Sequence, residues 1–304
     1  MFDIDYVFPY VNNQEPVWME GFKNFCLQHG CTERYKDINN ERYCDLGFLP
    51  LVIKSIKKNL PFIRKIHVIV SNLEQAPDWL YNDSVVNIVL HKDIIPSKYL
   101  PTYNSTTIEM YLRRIPDLAE HFIYANDDMF ILNEMKPEDF FTEDGHIKIK
   151  FIDKDLTCGQ FAQVCYNNYA HVLDTLGCPH LEDKFERPEH SITPMIKSHC
   201  NECIEMMGSK IFTSAIDPFR NNKQHNQYIY PLWEKYKYGI DKSKVKFGYV
   251  CMKDSLETIC STISNKKIDV LCFNDCPSNI RPIIVANIDK VKQCFRDRIS
   301  YGRC

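Results

Sequence analysis

The chain has 304 residues, 44% hydrophobic and 12% aromatic, which is enough to bury a full core in one large or two modest domains. Lys and Arg number 37 against 40 Asp and Glu, so the formal net charge is −3. This balance excludes a general electrostatic attraction to nucleic acid or to an acidic membrane, and any anion must bind at a local site.

The amino-terminal sequence and the cysteines indicate in which cellular compartment the protein is expected. The segment MFDIDYVFPYV carries acids where a signal peptide carries basic residues, and no run approaches the roughly 18 apolar residues of a membrane-spanning helix. We expect a cytoplasmic protein with no transmembrane segment, and a peripheral position at the inner membrane face stays open. The 14 cysteines are scattered through a chain that is large enough to fold without disulfide bonds. This favours reduced thiols unless the protein is secreted.

Strand-like and helix-like patterns alternate through the first half of the chain. The β-prone runs are residues 4–8, 66–70, 85–90, 122–125 and 147–151, and several are continuously apolar, as strands covered on both faces are. One helical stripe consists of Leu49, Val52, Ile53, Ile56 and Leu60. A second consists of Ile108, Tyr111, Leu112 and Ile115, after Thr106 and Glu109 in capping-box spacing. The alternation predicts an α/β sheet.

The second half of the chain has a different pattern. Residues 158–238 are mainly helical in pattern, and a strand at residues 270–273 precedes a helix through Ile288, Val291, Cys294 and Phe295. We therefore predict a single catalytic domain. Its α/β core comprises residues 1–157 and 266–304, and residues 158–265 form a mainly helical insertion.

The sequence SHCNEC resembles part of a zinc site through His199, Cys200 and Cys203. A second CxxC that would complete four ligands does not occur, and Thr193 with Pro194 suggests an N-cap and first turn. Helical spacing then puts on one apolar stripe Ile196, Cys200, Cys203, Ile204 and Met207. Buried core thiols are the preferred interpretation.

Polar side chains follow two of the predicted strands. Asn126, Asp127 and Asp128 come directly after residues 122–125, and Asn274 and Asp275 follow residues 270–273. Ligands of α/β sheets bind at the carboxyl ends of strands, and adjacent carboxylates there can hold Mg²⁺ together with substrate phosphate oxygens. The alternative for each group is an ordinary turn or helix cap. If the two strands are neighbours, one ion can be shared by Asp127, Asp128, Asn274 and Asp275.

Two further residues are candidates for the active site only if they lie together with the groups above. His190 lies in a predicted loop, where an imidazole can titrate near its usual pKa of about 6.5. Arg220 in DPFRNNKQ offers a guanidinium fork that suits a diphosphate. Each is most often a plain surface residue when it occurs alone.

Taken in order, these segments resemble a known family. RYCDLGFLPLVIKSIKKNLPFIRKIHVIVSN, PDWL, VVNIVLHKDIIP and LPTYNSTTIEMYLRRIPDLAEHFIYANDDMF span residues 42–141 and are similar to the second signature region of the Stealth sugar-1-phosphate transferases. Shorter signatures also have counterparts: IDYVFPYVN, His190 with Arg220, and LCFND. The chain departs from the family at Asn12, where members commonly carry Asp.

The resemblance implies a Rossmann-like core that transfers a hexose 1-phosphate from a UDP-sugar to a hydroxyl of an acceptor glycan, with release of UMP. It implies Mg²⁺ or Mn²⁺ on Asp127, Asp128, Asn274 and Asp275. Catalytic roles fall to His190 as base, Asp128 and Arg220. The donor contacts implied are Asp5, Asn12, Arg42, Asn104, Glu109 and Asn126. Glu109 is ambiguous because its capping-box spacing also explains it, and Asp5 is equally a strand residue with local hydrogen bonds.

Two other functions remain as alternatives. A conventional metal-dependent glycosyltransferase would use the same donor and release UDP, and a glycan-binding module would need neither the metal nor Asp127 and Asp128. We expect no nucleic-acid partner, and a homodimer is left open.

Overall fold

The computed structural model describes residues 2–39, 42–208, 211–212, 216–275 and 285–301. The strands are β1 Ile4–Pro9, β2 Ile63–Val70, β3 Val86–Leu90, β4 His121–Tyr124, β5 Met129–Ile131, β6 Phe151–Asp155, β7 Lys184–Pro188, β8 Thr193–Ile196, β9 Phe247–Cys251 and β10 Val270–Asn274. The α-helices are α1 Pro16–Gln28, α2 Leu49–Asn59, α3 Asp78–Tyr81, α4 His91–Ile94, α5 Ser105–Glu109, α6 Gln160–Leu176, α7 Lys197–Met207, α8 Ile229–Lys237, α9 Leu256–Ser264 and α10 Ile288–Tyr301. Short 3₁₀ turns occupy Thr32–Asn39, Leu73–Gln75, Ser97–Tyr99, Leu112–Arg114 and Pro137–Asp139.

A five-stranded sheet forms the core, in the order β3-β2-β1-β4-β8. Its first four strands are parallel, and β8 is antiparallel to β4. Alternate residues of β1 enter two different clusters: Tyr6 and Phe8 pack with α2 and α10, whereas Val7 packs with α7 and α8. The sheet is therefore covered on both faces, which explains its continuously apolar strands and confirms the predicted α/β fold class.

Two smaller sheets complete the fold. In one, β10 lies between β5, to which it is antiparallel, and β9, to which it is parallel. The other is an antiparallel pair of β6 and β7. The chain thus passes from the main sheet through β4 into the second sheet through β5, with only residues 125–128 between them.

Several predicted elements are confirmed. All five residues of the first helical stripe are buried, and all except Leu60 lie within α2. The second stripe is also buried, although α5 ends at Glu109; Leu112 lies in the following 3₁₀ turn, which Tyr111 and Ile115 flank. Cys200 and Cys203 lie in the core on α7.

Two predicted elements are wrong. Residues 147–151 alternate apolar and polar, and Ile147 and Ile149 point into the core, but their pairing is limited to isolated bridges and β6 begins only at Phe151. Thr193 and Pro194 do not start a helix, because they belong to β8, the edge strand of the main sheet. Proline is tolerated at a sheet edge, where its missing N–H breaks no ladder.

The segment predicted as a mainly helical insertion, 158–265, also contributes strands. It contains α6 to α9, and it adds β8 to the main sheet and β9 to the second sheet. Within the described ranges, no helix combines the length and the hydrophobicity needed to cross a bilayer.

Candidate active site

A cavity of about 500 Å³ opens where β1 and β4 end. The chain order of the parallel strands reverses between these two strands, since β2 and β3 lie on one side of β1 and β4 on the other. Ligands of open α/β sheets bind at this kind of switch point. Most of the predicted site residues line the cavity: Arg42, Asn104, Asn126, Asp127, Asp128, Arg220, Asn274 and Asp275.

Asp127 and Asp128 sit at the junction between the two larger sheets. β4 holds residue 124 beside β1, and a turn closed by the Met129 N–H on the Asn126 carbonyl (3.3 Å) leads into β5. The Phe273 N–H donates to the Asp128 carbonyl (2.9 Å), which brings the end of β10 to the same place. β4 and β10 are thus not neighbours in one sheet, and the predicted convergence of their ends is achieved through β5.

The carboxylate pair is electrostatically strained. Burial, with Asp128 and Asp45 nearby, raises the pKa of Asp127 to about 8, and Arg220 acts in the opposite direction. Burial also raises the pKa of Asp128, against the influence of His190 and of a hydrogen bond from the Cys272 thiol. Two partly buried acids with raised pKa values form a place where a cation is favourable.

The structure also gives a direct test of whether a metal ion suits these residues. Asp128 Oδ1 is buried, and no hydrogen-bond donor reaches it among the described residues. A buried acceptor without a partner is costly unless something absent from the protein fills the position. Together with the oxygens of Asp127, Asn274 and Asp275 on the same cavity wall, this atom fits a hard divalent cation.

His190 comes next to Asp128 through strand pairing. β8 is antiparallel to β4, so its first residue, Thr193, lies opposite Tyr124, and His190 just before it reaches the end of β4. The ring is partly buried, and burial lowers its pKa, an effect that Asp128 opposes and Arg187 reinforces. His190 is not among the residues that line the cavity, so it adjoins Asp128 from outside that lining.

One hydrogen bond orients the His190 ring. Its Nδ1 lies 2.8 Å from the Tyr228 hydroxyl. Burial raises the pKa of Tyr228 above its usual value, so this hydroxyl stays neutral. If Nδ1 carries the proton and donates to Tyr228, Nε2 is left with a free lone pair, which is the tautomer that a general base requires.

Arg220 is placed by a loop that Asn104 secures. The Asn104 amide, which is buried, donates to the carbonyls of Asp217 (3.1 Å) and Phe219 (3.3 Å). The Arg220 guanidinium donates to the Ser105 hydroxyl, and its charge lowers the pKa of both Asp127 and Glu109. The side-chain amide of Asn104 therefore holds the loop that carries the Arg220 guanidinium, and it does not donate into the cavity.

Glu109 does not form the predicted capping box. Asn104 caps α5 through its side chain, which accepts from the Thr106 N–H (3.1 Å). The Glu109 carboxylate is buried and accepts from the Tyr124 hydroxyl (3.3 Å) and from the Gln227 N–H (3.0 Å). Burial raises its pKa. Glu109 lies outside the lining of the cavity, and the charge of Arg220 opposes the rise in its pKa.

Two of the predicted donor contacts, Asp5 and Asn12, lie outside the lining of the cavity. Asp5 is fully buried near the start of β1, four residues before the cavity begins at Pro9, or about 13 Å at 3.3 Å per residue. It accepts from Arg64 (2.7 Å) and the Ala119 N–H (2.8 Å) and contacts His67 (2.9 Å). Burial would raise its pKa, but these hydrogen bonds outweigh burial and hold it at about 2. Asn12 lies beyond the lining, and its side chain accepts from the Gln14 N–H (2.9 Å).

Sequence reasoning missed four residues. Cys272 lies beside Asp128 because β10 pairs with β5, and Tyr228 contacts His190 from the turn before α8. Tyr10 and Asp45 line the cavity and are joined by a hydrogen bond of 3.0 Å. Tyr10 directly follows the first apolar strand, so its position at a strand end was readable from the sequence. The contacts of the other residues depend on distant pairing.

Comparison with known proteins identifies the family. Residues 42–149 match the model described as Stealth protein CR2, conserved region 2. The capsular polysaccharide phosphotransferase LcbA of Aeromonas hydrophila is 30% identical over 79% of this chain and 67% of its own length. The capsular polysaccharide phosphotransferase fcs1 of Haemophilus influenzae is 34% identical over 72% of this chain and 60% of its own length. The capsular polysaccharide phosphotransferase WcwK of Streptococcus pneumoniae is 27% identical over 90% of this chain and 90% of its own length.

The match to the conserved-region model covers the strand ends that carry Asp127 and Asp128 and also α5 with Glu109. The chain spans between three fifths and nine tenths of the length of these three relatives. On this evidence the chain belongs to the Stealth family of capsular polysaccharide phosphotransferases.

Proposed function

We propose that this protein transfers a hexose 1-phosphate from a UDP-sugar to a hydroxyl of an acceptor glycan in capsular or exopolysaccharide synthesis. A bond forms between the acceptor oxygen and the β-phosphorus, the bond from that phosphorus to the bridging oxygen breaks, and UMP leaves. The observation that carries the proposal is one cavity lined by a carboxylate pair, Asp127 and Asp128, and by the guanidinium of Arg220. A diphosphate bound with a divalent cation needs both kinds of charge.

The donor diphosphate lies in the cavity in this proposal. Arg220 enters from the loop that Asn104 secures, and Arg42 lines the same cavity while donating to Gln160 (3.1 Å). Their charges neutralise phosphate oxygens, and phosphoryl transfer depends mainly on such positioning and neutralisation. The position of the cavity at the switch point supports the Rossmann-like interpretation of the nucleotide site.

Mg²⁺ or Mn²⁺ is the proposed cofactor. Asp127 and Asp128 would hold it, with Asn274 or Asp275 as further oxygen donors, and the unpartnered Oδ1 of Asp128 supports this assignment. When bound, such an ion neutralises charge on the diphosphate. Asp127 must give up a proton that burial and its neighbours help it to keep, so the pair should hold a cation less tightly as the pH falls.

His190 is the proposed base for the acceptor hydroxyl. It adjoins Asp128 from outside the lining of the cavity, so we place the acceptor on the His190 side and the donor in the cavity, with Asp128 between them. Because burial lowers the pKa of His190, its ring is neutral and able to accept a proton at neutral pH.

The nucleotide product tests this proposal. The purified chain would be incubated with an acceptor glycan, Mg²⁺ and a panel of UDP-sugars, and the nucleotides separated by chromatography. We expect UMP with one of the donors, and no UMP from Asp128→Asn or in excess EDTA. Release of UDP in equal amount with a new glycoside would instead identify a conventional glycosyltransferase.

A further inference from the structure

A second kind of metal site lies beside the proposed donor site. Asp128, His190 and Cys272 each present one ligand atom, and all three atoms lie within 4.8 Å of one another. No other group of three His, Cys, Asp or Glu side chains within the described ranges meets this condition. The three side chains come from the β4–β5 turn, the loop before β8, and β10, so only the folded chain brings them together.

From this cluster we infer that the protein binds one Zn²⁺ ion, or a similarly thiophilic divalent cation, on Asp128, His190 and Cys272. Carboxylate, imidazole and thiolate are all zinc ligands, whereas Mg²⁺ disfavours nitrogen and sulfur. The site is distinct in chemistry from the all-oxygen Mg²⁺ site proposed above, and it shares only Asp128 with it. Three protein ligands leave the fourth tetrahedral position for water or a substrate oxygen.

The observed distances suit this ion. Atoms within 4.8 Å of one another surround a centre that is at most about 2.8 Å from each, and bonds of Zn²⁺ to these ligands are about 2.0–2.3 Å long. The Cys272 Sγ is 3.2 Å from Asp128 Oδ2. Sulfur and oxygen ligands of a tetrahedral zinc lie about 3.5 Å apart for such bond lengths. Small side-chain rotations therefore suffice.

The second oxygen of Asp128 and the exposure of the three side chains are compatible with a cation on this side of the carboxylate as well. The other carboxylate oxygen of Asp128, Oδ1, is buried and has no hydrogen-bond partner among the described residues. Cys272 is fully buried, while Asp128 and His190 are only partly buried, so an ion can reach the site from their side. On binding, the Cys272 thiol loses its proton to solvent, and no oxidant or reductant is required.

Occupancy has a consequence that rests on the proposed function. An ion on His190 removes the lone pair that the general base needs, and an ion on Asp128 removes a ligand of the proposed Mg²⁺ site. Zn²⁺ should therefore inhibit transfer. Excess Mg²⁺ should fail to reverse this inhibition, because Mg²⁺ competes poorly for imidazole and thiolate.

Binding can be measured without any substrate. The full chain in excess Mg²⁺ would be titrated with Zn²⁺ against a chromophoric zinc indicator, and with Cd²⁺ for the ultraviolet charge-transfer band of a cadmium thiolate. We expect one equivalent of zinc, a thiolate band, and at least tenfold weaker binding in Cys272→Ser, where the hydroxyl preserves the donor to Asp128. His190→Gln provides a second ligand variant if Cys272→Ser melts at a lower temperature.

Cys200→Ser is the matched control, because it removes another buried thiol and also tests the SHCNEC segment. It should bind zinc as the wild type does. The inference is overturned if the wild type takes up no zinc, if both ligand variants bind it like the wild type, or if Cys200→Ser is the variant that loses it. These measurements of zinc binding need neither the sugar donor nor the acceptor glycan. Their outcome is therefore independent of whether the transfer reaction occurs.

Discussion

Replacing Asp127 by Asn should stabilise the metal-free protein, and more so at high pH. The pKa of Asp127 is raised to about 8, chiefly by burial and then by Asp128 and Asp45. The native carboxyl therefore keeps a proton that the unfolded chain has already lost above about pH 4. Stability of the wild type falls as the pH rises from that value towards 8. An amide has no proton to lose and escapes this loss.

The size of the effect follows from linkage. Between about pH 5.5 and pH 8.5, a carboxyl with these two pKa values costs the folded state at most about 3 kcal/mol, since each pKa unit is about 1.4 kcal/mol. Asp127 is partly exposed at the cavity, and solvent screening reduces the figure. At each pH we compare the free energy of unfolding of Asp127→Asn with that of the wild type. We expect the advantage of the variant to be about 1–3 kcal/mol larger at pH 8.5 than at pH 5.5.

The assay is urea denaturation in EDTA at both pH values, followed by circular dichroism. Asp83→Asn is a control of opposite sign, because the hydrogen bond from Lys57 (2.7 Å) lowers the pKa of Asp83. That substitution should destabilise the protein at neutral pH and lose its effect as the pH falls through the native pKa of Asp83. A difference between Asp127→Asn and the wild type that does not grow with pH would refute the electrostatic reasoning.

Three further variants probe the catalytic groups. His190→Ala should lower kcat about 10²–10⁴-fold with little change in donor affinity by calorimetry, and the acid limb of the pH profile, below the lowered pKa of His190, should vanish. An unchanged profile would assign the base elsewhere. Tyr228→Phe should lower kcat about tenfold and leave KM nearly constant, since it removes only the partner that orients Nδ1; an unaltered rate would exclude that role. Arg220→Lys should raise the donor Kd about tenfold because one ammonium replaces a two-pronged fork, and unchanged titration by UDP-sugar would contradict the donor contact.

The polar residues at strand ends were predictable from local pattern. A continuously apolar run marks a strand covered on both faces, so the first oxygen-bearing residues after it fall at the ligand-binding edge. This reasoning located Asp127, Asp128, Asn274 and Asp275 on one cavity. It does not apply to Asp5, which lies within its strand rather than after it and contacts Arg64 and His67.

The surroundings of His190 were not predictable in the same way. Its contact with Asp128 requires β8 to pair antiparallel with β4, and the local signal at Thr193 and Pro194 favours a helix start instead. Cys272 likewise reaches Asp128 through the pairing of β10 with β5, across 144 residues of sequence. Local propensity carries no information about such long-range pairing, which is decided by tertiary packing.

The fate of the β-phosphorus tests the central claim most directly. A UDP-sugar labelled with ³²P at the β position would be incubated with the acceptor glycan, Mg²⁺ and the wild-type chain, with Asp128→Asn as control. If the hydroxyl attacks phosphorus, the label enters the glycan as a phosphodiester that resists phosphomonoesterase, and unlabelled UMP is released in equal amount. Label that remains in UDP while the sugar alone reaches the glycan would contradict the account.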